Sequence, residues 1–245
     1  MSSIIKVGAV SYLNTKPLLY GIEQSSIIND IELSLDYPAL LAQQLKNGEI
    51  DMALLPVAAI PGIDNARIVG KYGIATDGDV VSVAIFSNVP IEEVTDMYLD
   101  YQSRTSVRLA QLLLAQYWKK DIIYHQAPTD YISKIYGTTA GVIIGDRALQ
   151  QLPNFKYVYD LSAAWKSFTG LDFVFAAWVS NKQLTTGFME RFDAANEAGL
   201  RHIETVIAQN PFPAYSLERY YKKNIQYLLD ESKIKGLSTF LQMIQ

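Results

Sequence analysis

Short runs of apolar, β-branched residues alternate along this chain with stretches where apolar positions return every three or four residues. Ile4-Ile5-Lys6-Val7-Gly8-Ala9-Val10 predicts a buried strand. A helix is expected next, with Thr15 or Lys16 at its N-cap and Pro17 in the first helical position. Leu33–Asp36 predicts a second strand, and Pro38 opens a helix through Lys46 with Leu40, Leu41 and Leu45 on one side. Gly48 suits a left-handed cap, and Ile50–Leu55 is the next strand, closed by Pro56. Strand, helix, strand in this order is the signature of a parallel α/β sheet.

Farther along, Val80–Ser87 predicts a strand leading towards a second lobe that starts near Pro90. Inside that lobe Met97–Asp100, Ile122–Tyr124 and Gly141–Ile144 read as strands. Val107–Tyr117 reads as an amphipathic helix with Leu109, Leu112 and Leu113 facing inward. Leu171–Val179 is a β-rich run suited to carry the chain back. The remainder reads as helical: one long helix over residues 186–209, then shorter pieces at 216–223 and 235–243. The expected fold is α/β and two-lobed. Residues 1–87 and 173–245 would form a discontinuous first lobe, with residues 88–172 inserted as the second. A small-molecule site would then lie in the cleft between them.

Composition narrows the function classes. The chain has 245 residues, 49% of them hydrophobic and 19% charged, which excludes wholesale disorder. A net charge of −4 without basic runs argues against a nucleic-acid partner. No apolar stretch approaches the roughly 18 residues of a membrane span. With no Cys there are no disulfides and no thiolate zinc sites, and the two histidines, His125 and His202, show no metal-ligand spacing. No dinucleotide fingerprint, Walker loop or nucleophile elbow is present, so no cofactor or metal is expected. The first strand begins so near Met1 that a secretory signal has no room, and a cytoplasmic location is expected. Oligomeric state is not legible.

Chemistry concentrates where strands run into helices, the edge at which open α/β sheets hold ligands. The first such place is Ser11-Tyr12-Leu13-Asn14-Thr15. The second is Asp100-Tyr101-Gln102-Ser103-Arg104-Thr105-Ser106, where a helix start offers free N–H groups, hydroxyl donors and a guanidinium to a carboxylate. Capping by Ser103 or Thr105 is compatible with that role. The third is Ile144-Gly145-Asp146-Arg147, where Gly145 permits close backbone approach and Asp146 is expected to cap the helix.

These segments resemble the chorismate dehydratases of the futalosine route to menaquinone, a family on a type 2 periplasmic-binding-protein-like fold. The resemblance rests on Val10–Leu18, the Val81-Ser82-Val83 strand, Ser103-Arg104-Thr105-Ser106, Ile144–Leu149 and Thr169–Trp178. Where Asp172 stands the family commonly has Pro. The resemblance implies a hydro-lyase that removes water from chorismate to give 3-[(1-carboxyvinyl)oxy]benzoate. It implies catalytic roles for Asn14 and Ser82, with Tyr12, Thr15, Ser103, Arg104, Thr105, Ser106, Gly145 and Asp146 around the substrate. A related 1,4-dihydroxy-6-naphthoate synthase is the alternative within biosynthesis, although its expected Cys-containing opening and catalytic His are missing here. A non-catalytic binding protein for an organic anion is the alternative from another class.

Overall fold

The computed structural model describes residues 4–245, so the expectation drawn from the first three residues lies outside the described part of the chain. The chain opens with β1 (Ile5–Ala9), α1 (Lys16–Glu23), β2 (Ile31–Leu35), α2 (Pro38–Lys46), β3 (Met52–Pro56) and β4 (Arg67–Thr76). There follow β5 (Val83–Ser87), β6 (Asp96–Leu99), α3 (Arg104–Gln116), β7 (Ile123–Gln126), β8 (Thr139–Ile144), α4 (Gly145–Gln151) and β9 (Tyr157–Asp160). Helix α5 (Leu161–Thr169) leads to β10 (Phe173–Ser180), α6 (Thr186–Arg201), α7 (Ile203–Gln209) and the short α8 (Leu217–Arg219). A π-helical turn at Tyr220–Asn224 precedes β11 (Gln226–Leu228) and α9 (Glu231–Met243).

The strands form two mixed sheets, ordered β11-β4-β10-β3-β1-β2 and β7-β6-β8-β5-β9. In the first, β1 runs parallel to β2 and β3, while β10 is antiparallel to both β3 and β4. In the second, β6 runs parallel to β7 and β8, and β5 is antiparallel to β8 and β9. This corrects the boundary expected after residue 87. Val83–Ser87 belongs to the second sheet, so the chain crosses between lobes within residues 77–82 and returns at 170–172. Pattern alone misassigns this strand because every residue in it is buried. Val83 and Ile85 face the main core, whereas Ala84 and Phe86 join a smaller cluster with Tyr131, Ile135 and Ile143.

The main core runs without a break through both lobes, from Val7 and Leu54 to Leu109 and Leu113. Where the chain returns, Trp165, Phe173 and Phe240 meet edge to face with ring centres 4.9–6.0 Å apart. Helix α1 lies backbone to backbone on α6. A Cβ on Gly21 would stand 1.9 Å from the Ala195 carbonyl oxygen, and one on Gly199 equally close to that of Pro17. Only glycine fits at either position, and the contact anchors α1 directly after the Tyr12–Asn14 segment.

Smaller departures from expectation have local causes. Lys16 takes the first helical position of α1 and Pro17 the second. The long helix expected over residues 186–209 breaks at His202, whose ψ of +29° ends α6 before α7 begins. Gly48 does adopt a left-handed conformation after α2, with φ +72°. Among the described residues, no helix is long and apolar enough to cross a membrane.

Candidate functional site

Strand β1 ends at Ala9, and a 3-10 turn over Leu13–Thr15 carries the chain into α1. That turn brings Tyr12 and Asn14 to the carboxyl edge of the first sheet. From the other lobe, the segment between β6 and α3 supplies Gln102, Ser103, Thr105 and Ser106, and the β8–α4 junction supplies Gly145. Ser82 comes from the crossing itself. These residues line one interlobe cleft of about 590 Å³, including its open mouth. Its remaining walls are apolar: Val10, Pro38, Leu54, Pro56, Ile74, Val80, Val83, Ile144, Phe175 and Ala176. That is the usual recipe of a ligand site, apolar walls with a few placed polar groups.

Ser82 is held from several directions. It is fully buried, and its Oγ accepts a hydrogen bond from the Tyr220 hydroxyl at 2.8 Å. Its N–H donates to the Val80 carbonyl at 2.7 Å, which closes a γ-turn around Val81. Val81 has φ +57°, a conformation that costs a β-branched residue about 1–3 kcal/mol. The Val81 N–H donates to Asp160 Oδ2 at 2.6 Å, and the Ser82 carbonyl accepts from the Gly145 N–H at 2.7 Å. Gly145 itself needs a left-handed backbone, φ +64°, to start α4 there.

The helix start at α3 is capped as expected: Ser103 Oγ accepts from the Ser106 N–H at 3.0 Å. Ser103 also donates its hydroxyl proton to Ser106 Oγ at 2.9 Å, which leaves the Ser106 proton available to the cleft. Thr105 Oγ1 accepts from the Ala58 N–H at 3.1 Å, a bond between lobes that leaves its own proton free. Asn14 Oδ1 accepts from the Thr15 hydroxyl at 3.1 Å, so the Asn14 amide presents its N–H donors. The polar part of the cleft is therefore rich in donors.

Three expected substrate neighbours stand elsewhere. Arg104 is exposed and points into a separate groove with Arg108, because position 104 falls on the outward side of α3's first turn. Asp146 does not cap α4. As the second residue of that helix it turns across the lobes, and its Oδ1 accepts from the Leu13 N–H at 3.1 Å. Thr15 is completely buried and supports Asn14 rather than lining the cleft.

Four residues of the site were not picked out from sequence. Gln102 joins the lobes by accepting from the Tyr12 hydroxyl at 2.8 Å and from Arg147 Nη2 at 2.9 Å. Arg147 in turn pairs with the buried Asp100 carboxylate at 2.7 Å, and the Tyr131 hydroxyl lies 2.9 Å from the same group. The neighbourhood of Ser103 was the available signal for Gln102. Tyr220 and Asp160 gave none, since each acts through a partner distant in sequence, and the strain at Val81 beside Ser82 shows only in the backbone.

The electrostatics of the cleft are those of a neutral donor site. None of its lining residues carries a carboxylate, imidazole, ammonium or guanidinium. Burial, reinforced by Asp100, pushes the Tyr12 phenol up to about 12, so it serves as a neutral donor. Burial also raises Tyr220, against the pull of its bond to Ser82, and raises Asp146 against the Leu13 N–H. The two histidines lie outside the cleft: His125 pairs with Asp96 at 2.8 Å, and His202 contacts the Ala198 carbonyl.

A family model described as menaquinone biosynthesis matches residues 5–245. A chorismate dehydratase of Campylobacter jejuni is 28% identical over 246 residues, covering 95% of this chain and 90% of the relative. One from Thermus thermophilus is 24% identical over 267 residues, covering 97% and 94%. A solved protein from Archaeoglobus fulgidus superposes with a TM-score of 0.75 at 17% identity, over 98% of this chain and 96% of its own. A Candida albicans protein described as having the generic periplasmic binding protein fold superposes at 0.61 with 12% identity, over 98% and 89%. Similarity at this level establishes the two-lobed fold.

Proposed function

The chain belongs to the menaquinone-biosynthesis family, and from that premise we propose that it removes water from chorismate to give 3-[(1-carboxyvinyl)oxy]benzoate. Two full-length relatives bearing the name chorismate dehydratase support the reading. The observation that carries it is the donor-rich, uncharged cleft between the lobes. Chorismate offers two carboxylates, an ether and a hydroxyl, all acceptors. Ser82, Ser106, Thr105, Asn14 and the first-turn N–H groups of α3 meet them with neutral donors.

The uncharged lining also bears on the mechanism. Elimination needs a base for the ring C–H, yet the only ionisable lining residue is Tyr12, whose phenol is too weakly acidic to be present as phenolate. The enolpyruvyl carboxylate of the substrate takes the proton as the C–O bond to the neighbouring hydroxyl breaks. The carboxylic acid so formed hands the same proton to the departing oxygen, which leaves as water; the carboxylate is regenerated and the ring becomes aromatic. Asn14 and Ser82 orient the carboxylate and the leaving hydroxyl, and exclusion of bulk water by the apolar walls preserves that geometry.

Incubating purified protein with chorismate and following the mixture by mass spectrometry tests the reading. A product lighter by one water, with an aromatic absorption spectrum, is expected. Saturable binding of chorismate without conversion would instead assign the cleft to a solute-binding protein, and neither binding nor turnover would overturn the substrate.

A further inference from the structure

Asp160 is a partly buried carboxylate that, among the described residues, has no cationic side chain in hydrogen-bond reach. Oδ1 accepts from the N–H groups of Ser162 and Ala163 at 2.9 and 3.0 Å and so caps α5. Oδ2 accepts from the Val81 N–H at 2.6 Å. One oxygen therefore performs an ordinary capping task, and the other reaches 79 residues back to the strained turn beside Ser82. A serine or asparagine would cap α5 as well, at far lower cost of burial. The second oxygen is what the carboxylate adds.

We infer that Asp160 is a positioning residue: by holding the Val81 N–H it keeps the γ-turn closed and aims the Ser82 hydroxyl into the cleft. The geometry is over-determined only with this bond in place. Val81 leaves φ +57° readily unless something outside the turn holds it, because a β-branched side chain disfavours that region. Tyr220 fixes the hydroxyl oxygen of Ser82 and the Gly145 N–H its carbonyl, but neither bond reaches the Val80–Val81 peptide on which φ of Val81 turns. The inference rests on the reading that Ser82 meets the substrate.

Asp160→Asn is the direct test. It preserves one acceptor oxygen for α5 and replaces the other by an NH2 group that cannot accept from Val81. The expected result is a fall in kcat of about a hundredfold with KM little changed, the loss typical of a displaced group. A double-mutant cycle separates the two ideas. In the Ser82→Ala background, Asp160→Asn should lower kcat no further. An equal loss in both backgrounds would show that Asp160 acts through something other than Ser82 and would overturn the proposal. Unchanged kcat in Ser82→Ala itself would overturn the role of Ser82 instead. Val81→Gly, which adopts positive φ without strain, should restore much of the activity of Asp160→Asn. If Asp160→Asn does not fold, Asp160→Ser carries the same cycle, since serine caps the helix but has no second oxygen for Val81.

Discussion

On the crossing side of the cleft, Ser82 is fixed by a closed γ-turn in the joining segment, by the Gly145 N–H from the second lobe and by Tyr220 from the first. On the mouth side, Tyr12, Leu13 and Ala58 of the first lobe face Gln102, Asp146 and Thr105 of the second, each pair joined by a single hydrogen bond. The crossing side is braced so that one hydroxyl keeps its aim. The mouth side consists of separable contacts, each worth about 0.5–1.5 kcal/mol. The two sides of the cleft are thus held by different residues.

The harshest way to break the comparison is to remove the footing of the mouth. Asp100 is fully buried against Arg147, which also holds Gln102. Arg147→Ala should cost about 3–5 kcal/mol in urea unfolding, the penalty for stranding a buried charge. A loss below about 1 kcal/mol would show that Tyr131 and the Gln102 N–H suffice for Asp100.

On the crossing side, Ser82→Ala should lower kcat by about a hundred- to a thousandfold, equivalent to 2.7–4 kcal/mol, with KM largely preserved. Asn14→Ala should do the same. His125→Ala and His202→Ala should turn over normally, because both rings lie outside the cleft. A folded but inactive His variant beside an active Asn14→Ala would replace the substrate-borne base with a protein one.

A third experiment asks what the bracing costs. Burial, with Asp79 adding, lifts Asp160 to about 6 against the pull of the Ala163, Val81 and Val80 N–H groups, and Tyr215 is the other titratable group facing it. Its folded pKa lies above the unfolded value near 3.8, so the native state holds the proton more tightly. Wild-type stability from this group is therefore lost as pH rises from about 4 to about 6, by up to about 3 kcal/mol. The Tm of Asp160→Asn relative to wild type should climb across that window and level off above it. A difference independent of pH would remove Asp160 as the source.

The smallest effects belong to the individual mouth contacts. Gln102→Ala and Thr105→Val should each raise KM several-fold, about 1 kcal/mol, and leave kcat nearly intact. A larger fall in kcat than in affinity would move these residues from closure to alignment.

Much of this arrangement was legible in the sequence where strand and helix signals are local. β1, α2 with its left-handed Gly48, α3 with its Ser103 cap, and β10 all follow from pattern and capping chemistry. β4 was not legible, because Arg67, Gly70, Lys71 and Gly73 interrupt its apolar run. Its outer half is partly exposed, and only the inner half is buried beside β10. The five-residue run of β5 was visible as a strand but not its sheet, since a strand buried on both faces carries no directional pattern. Arg104 was misread for a related reason: a helix start names its capping residues from sequence, but not which of the next ones turns inward. Asp160 and Tyr220 were invisible because their partners lie 79 and 138 residues away.

The position of β10 sets an order on how this molecule comes into being. It lies between β3 and β4, its neighbours in the sheet but more than 90 residues earlier in the chain. On a ribosome adding roughly 5–20 residues per second, β3 and β4 emerge several seconds to tens of seconds before the strand that must separate them. All of β5 to β9 is made in that interval, and it pairs only within itself. The inserted lobe can therefore assemble while the surrounding one is still open. The slow, non-local step of folding is the late threading of Phe173–Ser180 into a gap that the nascent chain must keep free.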